Sequence, residues 1–247
     1  MFKNVLIISD NSILSKKVFE IIENKQIADS FFTFSISPYS NKDDFNILNT
    51  EIKIFDLKNQ EHLDFIKSNY DLILSIHCKQ IFPSDLVNNI KCINIHPGYN
   101  PFNRGWYPQV FSIINKMPIG ATIHEIDQKL DHGGIIAQEY VNIDSFDTSE
   151  SLYNKVVSKE IELLELNIES IIIGNYNVTI PSQEGNLNFK KDFNKLLKLD
   201  LDEQITVGVL IDRLRALTHG AFNNAYFIDP STGKKIFIGI SLRPEEK

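Results

Sequence analysis

The chain of 247 residues is 43% hydrophobic and 23% charged, which is ordinary for a globular protein of one large domain or one domain with an appendage. Its formal net charge of −7 argues against a nucleic-acid partner, because phosphate backbones are bound by basic surfaces. The N-terminal apolar run Val5–Ser9 is too short for a signal sequence, and no run approaches the length of about 18 residues that a membrane span requires. We therefore expect a cytoplasmic protein with no membrane partner.

Short apolar runs alternate with amphipathic stretches, a pattern that predicts an α/β sheet with crossover helices. The predicted strands run, in chain order, from Asn4 to Ser9, Phe31 to Ile36, Glu51 to Phe55, Asp71 to Ile76, Cys92 to His96, Ala121 to Glu125 and Ile135 to Asn142. We also predict a helix capped by Ser12, a helix after Gly105, and a long helix from about Thr148 to Ile172 whose start is capped by Ser149.

The composition shifts toward Asn, Pro, Ser and Gly around residues 174–185. We interpret this stretch as the boundary between a larger domain, residues 1–180, and a small C-terminal subdomain, residues 181–247. The subdomain is predicted to hold a helix from Thr206 to about Leu217 and a β-hairpin that turns at Asp229–Gly233. Its first lysines are interleaved with aspartates, so we interpret them as a solvated helix face.

Several kinds of site are disfavoured by the sequence. Cys78 and Cys92 lack metal-ligand spacing, and a disulfide is not expected in a reducing compartment, so both are interpreted as ordinary thiols. The histidines do not show the spacing of a metalloprotease zinc site, and no metal is predicted. The first strand is followed by Ser9–Ser12 without the glycines of a dinucleotide-binding loop, which argues against NAD. No Gly-x-Ser-x-Gly elbow of a serine hydrolase is present.

The residue types needed for carbonyl chemistry occur in two short segments, Asn94-Ile95-His96 and Leu130–Gly134, which contains Asp131. Strand alternation places Asn94 and His96 on one side of a strand end, with Ile95 turned to the core. An amide donor to a developing oxyanion contributes about 3 kcal/mol in comparable sites. An imidazole can transfer a proton, and a carboxylate can orient that imidazole.

These two segments, with Gly120–His124 between them, resemble the folate-dependent formyltransferases, a family that includes glycinamide ribonucleotide, methionyl-tRNA and nucleotide-sugar enzymes. The resemblance covers roughly residues 1–180 and implies a Rossmann-like catalytic domain with a mostly parallel central sheet, followed here by the small helix and hairpin tail. It implies 10-formyltetrahydrofolate as the co-substrate. Carried over to this sequence, it makes His96 the proton-transfer residue, Asn94 the oxyanion donor and Asp131 the orienting and relay carboxylate.

The same resemblance implies where the folate binds. In the family, the stretch after the fourth strand makes main-chain hydrogen bonds to the pterin, and the second motif forms a loop over it. The predicted folate-binding residues are His77, Cys78, Lys79, Gln80, Ile81, Asp127, His132 and Gly133. Glycine at 133 would let the backbone approach the flat ring closely. From the residues themselves, His124 and His77 are interpreted as packing or supporting residues.

Residues 75–83 and 96–109 narrow the resemblance to bacterial sugar N-formyltransferases that act on dTDP-linked amino-dideoxy sugars for surface polysaccharides such as the lipopolysaccharide O-antigen. The implied acceptor is a nucleotide-linked amino sugar, dTDP-4-amino-4,6-dideoxyglucose first and a dTDP-3-amino-dideoxy sugar second. In this group the tail often helps to form a dimer, so we expect a homodimer. The predicted substrate-binding residues are Asn103, Arg104, Gly105, Trp106 and Tyr107, in which an arginine fork suits a diphosphate and aromatic faces suit a ring.

Other acceptors remain open. A glycinamide ribonucleotide enzyme would use the same three polar residues but usually lacks this tail, and a methionyl-tRNA enzyme would carry a longer, basic C-terminal domain. A formyltetrahydrofolate hydrolase would use water as the acceptor. A folate-binding or nucleotide-sugar-sensing module without activity would be expected to have lost one of the three residues, and all three are present.

Overall fold

The predicted α/β fold is confirmed by the computed structural model, which describes residues 1–245. Its strands are β1 (Asn4–Ser9), β2 (Phe31–Ile36), β3 (Ile52–Ile54), β4 (Leu72–Ile76), β5 (Lys91–His96), β6 (Arg104–Gly105), β7 (Ile119–Glu125), β8 (Ile135–Val141), β9 (Leu187–Asn188), β10 (Ala225–Ile228) and β11 (Lys235–Ile238). Its helices are α1 (Ser12–Lys25), α2 (Gln60–Asn69), α3 (Ser84–Val87), α4 (Pro108–Asn115), α5 (Ser149–Ile173), α6 (Lys190–Leu197) and α7 (Val207–Leu217), with a 3₁₀ helix at Lys42–Leu48.

The central sheet has seven strands in the order β3-β2-β1-β4-β5-β7-β8. The strands from β3 to β5 are parallel neighbours, whereas β7 runs antiparallel to β5. Every residue of β4 is buried, as expected of a parallel strand that is covered on both faces. The carboxyl ends of β1, β4 and β5 therefore share one edge of the sheet, which is where open α/β sheets place their ligands.

The described chain divides into two compact units that are not contiguous in sequence. The first unit comprises Met1–His96, Thr122–Glu139 and Glu160–Ser182, and the second comprises Pro97–Ala121, Tyr140–Lys159 and the chain from Gln183 onward. The predicted subdomain boundary near residue 180 stays a prediction, and the last two residues of that subdomain lie outside the described range.

Each unit has its own hydrophobic core. In the first, Leu6, Ile8 and Ile73 of the sheet pack with Ile66 of α2 and with Cys92. The core of the second unit is formed by the apolar faces of several helices and strands: Val110, Phe111, Ile113, Ile119, Val141, Leu152, Val156, Phe193, Ala216, Leu217 and Ala225. Burial raises the pKa of both Cys78 and Cys92 to about 12, so both thiols are protonated and unreactive at neutral pH.

Two helix starts differ from the predicted ones by one residue. Asn11, not Ser12, caps α1, and its side-chain oxygen accepts from the backbone nitrogen of Leu14 at 3.1 Å. At α5, the hydroxyl of Thr148 accepts from the nitrogen of Ser151 at 3.3 Å, and the hydroxyl of Ser151 accepts from the nitrogen of Thr148 at 3.0 Å. Neighbouring Asn, Ser and Thr residues are all good caps, so the sequence does not decide between them.

The predicted C-terminal helix and hairpin are confirmed. Thr206 caps α7, and β10 pairs antiparallel with β11. In the turn, the Asp229 carboxylate accepts hydrogen bonds from Thr232 and Ser231, which lower its pKa to about 2. Gly233 has a φ of +70°, a conformation that favours glycine.

Candidate active site

The predicted catalytic residues come together in the first unit, at the carboxyl edge of the sheet. Asn94 and His96 lie at the carboxyl end of β5, and the antiparallel register of β5 and β7 sets Asn94 directly opposite His124. Asp131 follows in the loop between β7 and β8, with a positive φ of 48°. A non-glycine residue in this region of backbone space is uncommon and often marks a functional site.

The Asp131 carboxylate lies between two imidazoles and an amide. Asn94 Nδ2 donates to Asp131 Oδ1 at 3.3 Å. Nδ1 of His96 is 3.8 Å from Asp131 Oδ2, and Nε2 of His124 is 3.8 Å from Asp131 Oδ1. Both of these distances exceed a direct hydrogen bond, but they place the carboxylate close enough to stabilise a positive charge on either ring.

His124 fixes the orientation of the Asn94 amide through a contact that the sequence does not predict. Its Nδ1 lies 2.7 Å from the carbonyl oxygen of Glu125, which can only accept, so Nδ1 carries the hydrogen. In the neutral ring Nε2 is then an acceptor, and it receives Asn94 Nδ2 at 3.3 Å. Because the amide nitrogen faces two acceptors, its orientation follows from the network.

The side chains of this cluster are largely shielded from water. Their exposed fractions are 1% for His124, 6% for His96 and 11% for Asp131. Charge interactions are stronger in such an environment than in water. The cluster therefore offers an amide donor, an imidazole next to a carboxylate, and a poorly solvated space, which together suit the addition of a nucleophile to a carbonyl group.

A second buried pair lies at the end of the neighbouring strand β4. His77 Nε2 contacts both carboxylate oxygens of Glu160, at 3.1 and 2.9 Å, and the Glu160 side chain is only 1% exposed. Burial by itself would lower the pKa of His77, but the charge and hydrogen bond of Glu160 hold this pKa above its ordinary value. This contact suits a supporting role for His77, and the partner comes from the middle of α5.

This pair predicts a pH-dependent stability. Because folding raises the pKa of His77, the protonated imidazole contributes stability that is present below its ordinary pKa of about 6.5 and is lost as the pH rises through the raised pKa. Burial also raises the pKa of Glu160, so the ion pair weakens again at acidic pH, where this carboxylate takes up a proton. We expect Glu160→Gln to be clearly less stable than the wild type near about pH 6 and the difference to shrink toward about pH 9. Urea unfolding of both proteins at a series of pH values measures this difference in the free energy of unfolding. A difference that stays constant or widens toward about pH 9 would contradict the raised pKa of His77.

The loop from Asp127 to Gly134 is held by contacts within the first unit. Asp127 contacts His132 Nδ1 at 2.8 Å and accepts from the nitrogen of Lys129 at 2.8 Å. A Cβ on Gly133 would lie 1.9 Å from the Glu125 carbonyl oxygen. The chain itself therefore requires glycine at 133, in addition to any approach of a ligand ring.

Gly133→Ala is expected to displace this loop and the Asp131 carboxylate with it. A backbone shift that makes room for an added methyl group lowers the free energy of unfolding by about 1–3 kcal/mol. The reaction rate also falls steeply when catalytic groups are displaced. We predict a lower melting temperature and a kcat at least about tenfold below the wild type. Gly208→Ala is the matched control, since a Cβ there meets nothing within 4 Å. Equal activity of the Gly133 variant and the wild type would refute the prediction.

The predicted folate segment, His77–Ile81, is held mainly through its side chains and one backbone nitrogen. Gln80 donates to the carbonyl of Phe55 and accepts from the nitrogen of Leu57, each at 2.9 Å. The nitrogen of Lys79 donates to Asp10 Oδ2 at 2.6 Å. Cys78 is partly buried, whereas Ile81 is 82% exposed. These anchors fix the main chain of the segment.

The predicted substrate residues lie in the second unit, in and next to β6. Asn103 is fully buried, and its amide group contacts the side chains of Ser112, Asn115, Asn186 and Asn188. This contact network gives Asn103 a structural role in holding the segment. Gly105 has a φ of +88°, which accounts for glycine there.

Arg104 and the two aromatic residues differ in accessibility. The Arg104 side chain is buried, and its Nη2 donates to the backbone carbonyl of Glu184 at 3.0 Å and to its carboxylate at 3.1 Å. Tyr107 packs against Phe193, with ring centroids 4.2 Å apart and ring planes tilted by 38°. Trp106 is 46% exposed. Of the five predicted residues, Trp106 therefore offers the most accessible flat face.

The described residues include no helix long and apolar enough to cross a membrane. In residues 1–245, no group of three or more His, Cys, Asp or Glu residues has the arrangement of a metal site.

Comparison with known proteins identifies the class to which this fold and cluster belong. The Formyl transferase family matches residues 5–168, and the N-formyltransferase dimerization C-terminal domain matches residues 192–244. The chain belongs to the formyl transferase family.

The similar proteins include an enzyme named for a dTDP-linked amino sugar and two formyltransferases of known structure. The chain is 51% identical over 186 residues to dTDP-4-amino-4,6-dideoxyglucose formyltransferase of Mycobacterium bovis, a match that covers 75% of this chain and 79% of the relative. A 4-N formyltransferase from Francisella tularensis superposes with a TM-score of 0.92 and 43% identity, over 98% of this chain and 99% of that one. A formyltransferase from Anoxybacillus kamchatkensis, in complex with UDP-4,6-dideoxy-4-formamido-L-AltNAc and tetrahydrofolate, has a TM-score of 0.61 and 25% identity, over 78% of this chain and 88% of that one.

Proposed function

We propose that this protein transfers the formyl group of 10-formyltetrahydrofolate to the amino group of a dTDP-linked amino-dideoxy sugar, with dTDP-4-amino-4,6-dideoxyglucose as the first candidate. The observation that carries the proposal is the cluster of Asn94, His96 and Asp131. It occurs in a chain that is 51% identical over 186 residues to a dTDP-4-amino-4,6-dideoxyglucose formyltransferase. The product would serve a bacterial surface polysaccharide such as an O-antigen. The protein would work in the cytoplasm, where nucleotide sugar and folate are both supplied.

The proposed reaction has three chemical events that the protein must assist. The sugar amine attacks the formyl carbon, negative charge builds on the carbonyl oxygen, and the bond between that carbon and N10 of the folate breaks as N10 gains a proton. The folate supplies the formyl group. We assign proton transfer to His96 Nε2, on the far side of the ring from Asp131, and stabilisation of the imidazolium form to the Asp131 carboxylate.

Asn94 is the proposed donor to the developing oxyanion. In the structure its two amide hydrogens face His124 and Asp131. Donation to a substrate oxygen therefore requires Asn94 to give up its 3.3 Å contact with Asp131, while the contact with His124 keeps the amide oriented. His124 thus supports catalysis as a positioning residue.

We place the folate along the His77–Ile81 segment and under the loop that carries Asp127, His132 and Gly133. The support is the parallel register of β4 and β5, which pairs Ser75 with Asn94, so this segment begins beside the catalytic strand end. The main chain of such a segment carries both donors and acceptors, which suits the polar edge of a pterin.

The nucleotide sugar is proposed to use Arg104, Gly105, Trp106 and Tyr107, with Asn103 as the structural support of that segment. We expect Arg104→Ala to raise the KM for the amino sugar about tenfold, the effect of losing one charged contact, with a smaller change in kcat. Glu184→Gln separates the roles of the arginine, because it weakens the ion pair and leaves the guanidinium in place. A KM increase as large in Glu184→Gln as in Arg104→Ala would show that the effect is structural.

A homodimer formed through the C-terminal segment is part of the proposal. It is supported by the match of residues 192–244 to a dimerization domain and by exposed apolar side chains in and near α7 and β11, among them Val207, Phe222 and Phe237.

Mass spectrometry with a panel of amines tests the acceptor. The panel holds dTDP-4-amino- and dTDP-3-amino-dideoxyglucose, UDP-4-amino-arabinose and glycinamide ribonucleotide, each with 10-formyltetrahydrofolate. We expect a product heavier by one CO unit from the dTDP-4-amino sugar at the highest kcat/KM. A preference for the 3-amino sugar would place the formylated amino group at C3 of the sugar and not at C4. A preference for glycinamide ribonucleotide would overturn the assignment of a sugar acceptor.

A further inference from the structure

The carboxylate of Asp10, directly after β1, joins two loops at the carboxyl edge of the sheet. Oδ1 accepts from the nitrogen of Ser37 at 2.9 Å, from its hydroxyl at 2.6 Å and from the hydroxyl of Ser40 at 2.7 Å. Oδ2 accepts from the nitrogen of Lys79 at 2.6 Å. The loop after β2 and the His77–Ile81 segment after β4 are thus tied to one side chain.

This carboxylate already has four donors. An ionised carboxylate has about four lone-pair positions, so Asp10 has little capacity left to bind a ligand directly. Hydrogen bonds to a charged acceptor are also stronger than neutral ones. The arrangement therefore suits a residue that fixes the main chain around it.

Asp10 acts on the centre of a segment whose other residues are held by separate elements. His77, at a φ of +51°, is held by Glu160 of α5, and Gln80 is held by Phe55 and Leu57 after β3. Three elements consequently restrain three nearby residues, 77, 79 and 80. The hydrogen bond from Lys79 to Asp10 is the restraint that acts on the main chain itself.

We propose that Asp10 is a positioning residue for folate binding, and that its bond to the Lys79 nitrogen holds the main chain of the His77–Ile81 segment in the shape that receives the pterin. This rests on the folate site proposed above. Asp10 would make no contact with the reacting atoms, so its loss should change folate affinity much more than the chemical step.

The test compares Asp10→Asn with Asp71→Asn. Asp71 makes the same kind of link at the opposite end of β1 and β4, where its carboxylate accepts from the nitrogens of Lys3 and Asn4 at 2.8 and 3.0 Å. Asp71→Asn therefore controls for the loss of a carboxylate between these strands. The binding probe is 5-formyltetrahydrofolate, an isomer that does not react, measured by calorimetry on the full chain, together with steady-state KM and kcat.

In Asp10→Asn we expect the Kd for 5-formyltetrahydrofolate and the KM for 10-formyltetrahydrofolate to rise at least about tenfold, with kcat and the KM for the amino sugar within about twofold of the wild type. Asp71→Asn should leave all four values near those of the wild type. If Asp10→Asn does not fold by circular dichroism, the double variant Ser37→Ala and Ser40→Ala removes two of the four donors that hold the same carboxylate, and a several-fold rise in the folate KM is expected.

Unchanged folate affinity in a folded Asp10→Asn variant, or an equal loss in Asp71→Asn, would overturn the positioning role. A fall in kcat at unchanged folate affinity would overturn it as well, because it would place Asp10 in the chemical step. These results differ from a failure of the proposed folate site, in which the wild type itself would not bind the probe. A hydrolase or an enzyme with another acceptor would still bind the probe and would be recognised from its products.

Discussion

Replacing His96 with asparagine should lower kcat by at least about a thousandfold, within the range that general acid–base catalysis contributes, while the folate still binds. Asparagine is close in size to histidine but cannot take up a proton at neutral pH. The variant therefore has no imidazolium for the nearby Asp131 carboxylate to stabilise. The measurement is kcat under saturating substrates, with folate binding followed by calorimetry.

His62→Asn is the matched control for this variant. His62 belongs to α2 in the same unit, and its Nδ1 accepts from the nitrogen of Asp56 at 2.9 Å, a structural contact. We expect its kcat to stay within about twofold of the wild type. If His96→Asn retained near-normal turnover, the assignment of proton transfer to His96 would be wrong.

Asp131→Asn is expected to lower kcat by about a hundredfold to a thousandfold, because it removes the negative charge near both imidazoles. The amide oxygen of the variant can still accept from Asn94, so the loss of charge is what the variant tests. The KM values should change much less, since Asp131 is proposed to act in the transition state.

Asp127→Asn, in the same loop, is the control variant with which the kcat and KM of Asp131→Asn are compared. Its carboxylate binds His132 and the nitrogen of Lys129, so we expect mainly a raised KM for the folate. A fall in kcat as large as that of Asp131→Asn would mean that the loop as a whole, and not the Asp131 charge, carries the effect. The comparison therefore separates loop order from catalysis.

The elements of the sheet could be predicted because buried parallel strands are continuous apolar runs. β1 and β2 have the predicted bounds, and the other predicted strands of the sheet differ from the observed ones by at most two residues at either end. The caps of α1 and α5 were wrong by one residue, since neighbouring Asn, Ser and Thr side chains compete for the same backbone nitrogens. Tertiary contacts decide that competition: the Ser149 hydroxyl instead contacts His219 and Gln109.

The supporting contacts of the site could not be predicted with the same certainty, because they join distant parts of the chain. The pairing of Asn94 with His124 depends on the register between β5 and β7, which short motifs do not specify. The bond from Asp10 to Lys79 depends on the order of β1 and β4 in the sheet. Glu160 did leave a signal, since it takes the place of an apolar residue between Val156 and Leu164 at helical spacing.

The central claim is that this site transfers a formyl group from a folate nitrogen to a sugar nitrogen. It is tested most directly by nuclear magnetic resonance with 10-formyltetrahydrofolate labelled with carbon-13 in the formyl group, and with dTDP-4-amino-4,6-dideoxyglucose as the acceptor. The account predicts that the label appears in a formamide on the sugar nitrogen, in amounts equal to the tetrahydrofolate released, and that His96→Asn abolishes this signal. Label released as free formate, at the same rate with and without the amino sugar, would contradict it and indicate a hydrolase.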